Sequence, residues 1–434
     1  MQTEPPKADP PKRKRRRFQF SLRSLMIFTL ICAVGSAWVA RRIEQKRRER
    51  EAADAIVELG GQVAYDYQVN PTGGFVASAK PPGPDWLRTL FGEHFFSELK
   101  VVNLNGRVKV NDAGLINLRG LTQLQILGLR ETNVTDAGLA NLKGLTQLET
   151  LSLVKCNVTD AGLENLGDLN KLTDLLLEKT CISDAGLKSV KGLSQLQKLN
   201  LVDTRVSGSG LKHLKGLTQL QTLYLAYSNV TDAGLTHLKG MTQLKTLELC
   251  GTKITDAGLV NLRGLTQLQE LGLGECDVTD AGIENIKGLI QLRGLSLGGT
   301  FSTGMVESEN RIPRAVGHVT DAALVYLDGM FQLRTLFLNG TAVTDAGLVH
   351  LKGLTQLKTL GLLNTKISDA GLVKLKGLTQ LQTLDLRETN VTDAGLVNLK
   401  GLNALQWLFV GKTKVTDVGV NDFQKALPNC QIGR

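Results

Sequence analysis

The sequence predicts an α/β solenoid, a curved parallel sheet inside and short helices outside, with an N-terminal transmembrane helix ahead of it. Three observations predict this. One phrase of the form TDAGLxxLxGLTxLxxLxLxxTxV recurs, its aspartates at Asp112, Asp136, Asp160, Asp184, Asp232, Asp256 and Asp280, then at Asp321, Asp345, Asp369, Asp393 and Asp417. The step is 24 residues, doubled once where Gly208 stands in for an aspartate, which makes thirteen copies. Ahead of the copies, Ser24 to Ala40 is a charge-free run of 17 residues.

A fixed period between about 20 and 29 with LxxLxLxxT spacing is the signature of a leucine-rich-repeat solenoid, in which each coil contacts only its neighbours. That overrides the prior of two or three globular domains for a chain of 434 residues.

Taken in order, residues 1–22 read as a basic, Pro-rich disordered tail containing the run Lys12-Arg13-Lys14-Arg15-Arg16-Arg17. Residues 23–41 read as one transmembrane helix: 17 apolar residues span about 26 Å, with Arg23 snorkelling and Trp38 anchoring the far end. The alternative is a cleaved export signal cut after Ala37, and Arg15-Arg16-Arg17-Phe18 loosely fits a twin-arginine signal. Residues 42–60 continue as a charged juxtamembrane helix stopped by Gly60-Gly61. Eight basic residues precede the apolar run and six follow within ten positions, a slight bias toward an inside N-terminus and outside repeats. Residues 61–104 hold a strand (QVAYDY), a Pro/Gly-rich loop, the aromatic stretch Trp86 to Phe96 read as an N-terminal cap, and the first repeat strand. Residues 105–417 are the repeats, broken by an insertion at 301–317, and residues 418–434 read as the C-terminal cap.

Within one copy, Leu148, Leu151 and Leu153 should point inward, and Thr150, Ser152 and Val154 outward. Cys156 should pack inside. Thr159 reads as a helix N-cap, and Asp160 suits the positive end of the helix dipole. Lys143-Gly144, Lys239-Gly240 and Arg263-Gly264 match helix C-terminal rules. The insistent charged positions therefore have structural explanations and need no ligand.

The net charge of +10 is concentrated at the start: residues 1–51 hold 14 Lys/Arg and 5 Asp/Glu, and residues 52–434 hold 37 and 36. The bulk charge of the repeats thus gives no support for nucleic-acid binding. Six irregularly placed cysteines do not describe a disulfide framework and leave the compartment open. His213 and His237 share one helix position in adjacent coils, too few ligands for a metal site. There is no GxGxxG before a helix, GxxxxGK[ST], HExxH or CxxC.

The repeats resemble the bacterial TDAGL class of leucine-rich repeats, and are similar to the cysteine-containing repeats of F-box adaptors. No F-box precedes them here. RFQFSLRSLMIFTL, then AIVELGGQVAYDY, then PDWLRTLFGEHFF resembles a family of bacterial single-pass membrane proteins carrying such repeats. That resemblance implies the solenoid and membrane attachment, and implies no reaction.

Function is expected where copies differ. On the sheet's outward face, Asp174, Glu178, Asp203, Tyr224, Tyr227, Glu248, Glu270 and Glu275 form an acidic stripe with two tyrosines, suited to a basic protein or peptide. Phe337, Leu363, Trp407, Phe409 and Val410 are expected outward on late strands, either as an apolar docking patch or against the C-terminal cap. The insertion 301–317 is the third candidate, since inserts in such arrays often serve binding. The expectation is a non-enzymatic, membrane-anchored scaffold for a protein or peptide, with no cofactor, small-molecule substrate or nucleic acid. The alternative is a cytoplasmic-side adaptor or regulator of a signalling complex with opposite topology.

Overall fold

The computed structural model describes residues 22–70, 76, 78–299 and 318–434. The basic tail up to Ser21 and the insertion 301–317 lie outside the described residues. Two compact units divide the chain. The first takes the described residues up to Glu51 with Pro81–Phe96, and the second takes Ala52–Lys80 with Ser97–Arg434.

Helix α1 (Leu22–Glu58), whose residues up to Glu51 belong to the first unit, begins apolar, and Met26, Phe28 and Trp38 are exposed. It is long and apolar enough to cross a membrane. The helix runs unbroken into the charged stretch, where Arg47 pairs with Glu44 at 2.9 Å and Glu51 at 2.7 Å along one face. Helix α2 (Asp85–Phe91) is followed by an aromatic knot, Phe91 stacked on Phe95 at 4.8 Å and Phe95 edge-on to Phe96 at 5.1 Å.

Among the described residues, the second unit holds one fifteen-stranded sheet in chain order. Its strands are β1 (Gln62–Tyr65), β2 (Leu99–Asn103), β3 (Ile126–Gly128), β4 (Thr150–Ser152), β5 (Asp174–Leu176), β6 (Lys198–Asn200), β7 (Thr222–Tyr224) and β8 (Thr246–Glu248). They continue as β9 (Glu270–Gly272), β10 (Gly294–Gly298), β11 (Thr335–Leu338), β12 (Thr359–Gly361), β13 (Thr383–Asp385), β14 (Trp407–Phe409) and β15 (Gln431–Gly433). Strand β1 is antiparallel to β2, and every later neighbour is parallel. The end of the array is closed by β1 and the last turns of α1, which bury Ala52 and Ile56 in the core. Within the aromatic stretch, Trp86 and Leu90 are each 67% exposed and Phe95 is buried.

Leu148, Leu151 and Leu153 are fully buried as their spacing requires. Val154 and Val410 are not outward but buried, at 4% and 3% exposure. The register explains both. Trp407 pairs with Thr383 in the ladder, so Val410 falls in the inward leucine slot of its coil. Val154 lies beyond the three-residue strand β4, where strict alternation no longer holds.

Two details of each coil differ from simple helix capping. The aspartate reaches into the next coil: Asp256 accepts the backbone N–H of Thr279 at 2.8 Å and its hydroxyl at 2.6 Å. Thr279 in turn caps its helix by accepting from Ala281, whereas Thr159 makes no such cap bond. The residue ending each strand turn is left-handed: Glu131, Lys155, Lys179, Asp203, Tyr227 and Glu275 have φ between 54° and 58°, and Gly251 takes the same place at 68°.

Candidate protein-interaction surface

The register sorts the sequence candidates into columns across the sheet. Asp174, Glu270 and Trp407 occupy the first strand position, and Tyr224, Glu248, Phe337 and Phe409 the third. Asp203, Tyr227 and Glu275 sit in the left-handed column just beyond the strands.

Strands β7, β8 and β9 bring five candidates together. The Tyr224 and Tyr227 rings are half-buried over a small satellite core of Val202, Ala226 and Cys250. Tyr227 lies against Gly251, where any Cβ would collide with its ring, and its hydroxyl donates to Glu275 Oε1 at 3.4 Å. Lys198 Nζ sits 5.8 Å from the centre of the Tyr224 ring, a cation–π distance. A left-handed conformation is unfavourable for a bulky residue and persists only where the surroundings over-determine it. Here the repeated turn imposes it, since Lys155, Lys179 and Asp203 take the same conformation in their coils, and Gly251 leaves room for the ring.

Glu248 is only 5% exposed. Its carboxyl lies flat over Gly272, and Oε1 accepts the backbone N–H of Cys250 at 3.2 Å. Burial, reinforced by the neighbouring charge of Glu270, pushes its pKa up to about 7. Burial also raises Glu270, opposed by Arg293, and raises Tyr224 with help from Glu248 and Glu270. Glu178 was expected outward and is 3% exposed, accepting from Asn200 Nδ2 at 3.3 Å. It lies beyond the end of β5, in the same column as Val154. Asp174 is bonded to Thr173 at 2.8 Å, and Asp203 is exposed.

The stripe is therefore not a uniform acidic surface. Two of its carboxyls are buried, and Lys198 and Arg293 stand beside it. Among the described residues, no group of three or more His, Cys, Asp or Glu converges to hold a metal.

Comparison with known proteins bears on the fold. A family model described as leucine rich repeat matches residues 218–278, and a second of the same description matches residues 144–167 and 377–400. A leucine-rich-repeat protein of Leptospira interrogans superposes with a TM-score of 0.51 at 19% identity, covering 74% of this chain and 80% of that one. The fold is a leucine-rich-repeat solenoid. An internalin of Listeria monocytogenes is also similar, with a TM-score of 0.48 at 24% identity over 74% of this chain and 82% of that one. No curated protein sequence matches the chain.

Farther along the solenoid, the apolar candidates do not form one patch. Phe337 on β11 is separated from Trp407 and Phe409 on β14 by two intervening strands, which present Gly361 and Asp385 in the same column. Leu363 is half-buried and Val410 is in the core. Trp407 and Phe409 stack at 6.2 Å, and Arg387, held by Asp385, sits 5.4 Å from the Phe409 ring. Phe409 leans on Gly433 of the terminal strand β15.

The sequence carried a signal for these contacts: a large side chain followed one coil later by glycine in the same column. Tyr227 before Gly251, Glu248 before Gly272, Phe337 before Gly361 and Phe409 before Gly433 all lie over that glycine. Lys198, Arg293 and Arg387 were not anticipated, because their roles depend on which ring or carboxylate lies across the strand.

Proposed function

We propose that this chain is a non-enzymatic scaffold whose leucine-rich-repeat sheet binds a protein or peptide through Tyr224, Tyr227, Glu270 and Glu275. The observation that carries this is the left-handed Tyr227, wedged over Gly251 and tied to Glu275 beside the half-buried Tyr224. Aromatic anchors already ordered before binding lose little conformational freedom on contact, and tyrosine is a frequent interface anchor. Thirteen repeat strands at ~4.8 Å spacing make about 58 Å of preformed sheet. Asp174, Asp203, Phe337, Trp407 and Phe409 extend the reading outward from this centre, and the insertion 301–317 is a second contact element.

The scaffold is held at a membrane by residues 23–41, with the repeats on the outer side. The exposed apolar flank of α1 supports attachment, and its unbroken passage into the charged stretch favours an anchor over a cleaved signal. Carbonate extraction tests attachment: the protein should stay with membranes. A reporter fused after Arg434 tests topology, and activity on the inner side would reverse it, leaving a cytoplasmic adaptor.

Binding is tested by affinity capture with the full chain, a Tyr224→Ala/Tyr227→Ala/Glu275→Gln variant and a variant lacking residues 301–317. The tyrosine variant should lose a partner that the wild type holds. If both variants retain every partner, this surface is not the site.

A further inference from the structure

The near-neutral total charge of the repeats hides a segregation. In the coils around β6 to β9, Asp184, Asp232 and Asp256 lie at one edge of the sheet, where they clamp Ser207, Thr255 and Thr279, and Glu248 and Glu270 lie in the strands themselves. The segments that run from the outer helices into the strands cross the opposite edge. Over residues 187–202, 209–231, 233–247 and 257–269 they contain no Asp or Glu. They carry Lys188, Lys191, Lys212, Lys215, Lys239 and Lys245, all exposed.

Lys191, Lys215 and Lys239 recur at the consensus helix end, but Lys188, Lys212 and Lys245 are additions that helix termination does not require. Burial first, and then the charges of Lys212, Lys188 and Lys191 against that of Asp184, lower the pKa of His213. A cavity of about 630 Å³ opens on this edge between Lys215 and Lys239, lined by Thr218, Gln219, Thr242 and Gln243 and floored by Leu217, Leu220 and Met241. A second cavity of about 470 Å³ lies beside the equivalent Thr355-Gln356 and Thr379-Gln380 pairs of later coils, with Arg334 and Lys358, which hold the repeat position of Lys245, as its cations. Each is walled by two cations with hydroxyls and side-chain amides between them, a lining that donates hydrogen bonds to anions.

We propose that the basic edge from Lys188 to Lys245 is a second interaction surface, which docks an acidic helix of a partner protein. Charge complementarity selects an anionic partner. The coil step of ~4.8 Å between successive cations falls within the 4.5–6 Å that separates carboxylates three or four residues apart on an α-helix. Single-stranded nucleic acid is disfavoured because neither cavity is lined by an aromatic side chain on which a base could stack. This surface is separate from the tyrosine-centred one, and either can fail without the other.

The test uses the full chain in an uncharged detergent. A fluorescent helical peptide with Glu at every third or fourth position is titrated at low salt. Its controls are a proline-broken peptide of the same composition and a 20-nucleotide single-stranded DNA. The helical peptide should bind, with affinity falling as salt rises. Lys212→Glu/Lys215→Glu/Lys239→Glu should weaken it at least tenfold, and Tyr224→Ala/Tyr227→Ala/Glu275→Gln should leave it unchanged. Should the charge-reversed variant lose its cooperative melting transition, Lys212→Gln/Lys215→Gln/Lys239→Gln replaces it, with weakening by severalfold expected. No binding at low salt, or equal binding by the lysine variants, overturns the proposal. Equal affinity for the proline-broken peptide overturns the helical partner, and DNA binding more tightly than the peptide through the same lysines overturns the protein partner.

Discussion

The carboxylate of Asp136 accepts two hydrogen bonds from Thr159, one from its backbone N–H at 2.7 Å and one from its hydroxyl at 2.5 Å, across 23 residues of chain. The same pair joins coil to coil from Asp112–Thr135 to Asp393–Thr416. An aspartate that looks like a helix-start residue is thus a clamp between neighbours. Because a solenoid's stability is a sum of coil and interface terms, each clamp acts on one joint.

Breaking a central clamp should therefore destabilise the array. Asp256→Ala removes both acceptors and leaves the Thr279 N–H without its partner, a loss of about 2–3 kcal/mol for charge-assisted bonds. Asp256→Asn keeps an acceptor and should lose about 1 kcal/mol. Urea unfolding midpoints, compared at constant slope, check the order wild type, Asn, Ala.

Gly208 is the joint without a clamp. No carboxylate is available there for Thr231, and a Cβ on Gly208 would stand 2.6 Å from Gly234 Cα, so the two coils approach more closely than a side chain allows. Backbone amides near Gly208 and Thr231 should exchange faster in hydrogen–deuterium exchange than their equivalents at the Asp256–Thr279 joint. Gly208→Ala should lower stability by about 1–3 kcal/mol through overpacking.

The left-handed column predicts a separation of stability from binding. Lys179→Gly relieves an unfavourable φ of 54° and should be neutral or stabilising by up to about 1 kcal/mol. Tyr227→Gly relieves the same strain but removes the ring. Its melting temperature should change little, while capture of the partner is lost. A parallel loss of both would mean that the tyrosine is a core residue.

Glu248 predicts a pH dependence. Its folded pKa is raised to about 7, above the unfolded value, so the folded state holds the proton more tightly. The contribution is fully present below the ordinary carboxyl pKa, is lost as pH climbs toward 7, and is absent above. Glu248→Gln keeps an acceptor for the Cys250 N–H and carries no charge. It should raise the melting temperature at pH 8, by an amount corresponding to at most roughly 3 kcal/mol, and leave it unchanged near pH 4. Equal effects at both pH values would remove titration as the cause.

Much of the sheet face that carries the candidate residues follows from strand alternation, and the misreadings of its depth have specific causes. Alternation along a strand assigned Tyr224, Glu270 and Phe409 to the outer face correctly, because all three lie within three-residue strands. The same rule failed at Val154 and Glu178, where the chain has left the strand. It also placed Glu248 on the correct face without its depth, which depends on Gly272 in the next coil letting the carboxyl lie flat.

The sequence by itself determined the 24-residue coil, the parallel order, the inward leucines and the membrane-length apolar helix, because each follows from local periodicity or composition. It took the stacking of the coils to show that the aspartates join neighbours, that Tyr227 is left-handed over Gly251, and that Glu248 is buried over Gly272. Those facts depend on which residues stacking brings opposite one another 24 positions apart, and a side chain's burial, partners and proton affinity are set by neighbours across that gap.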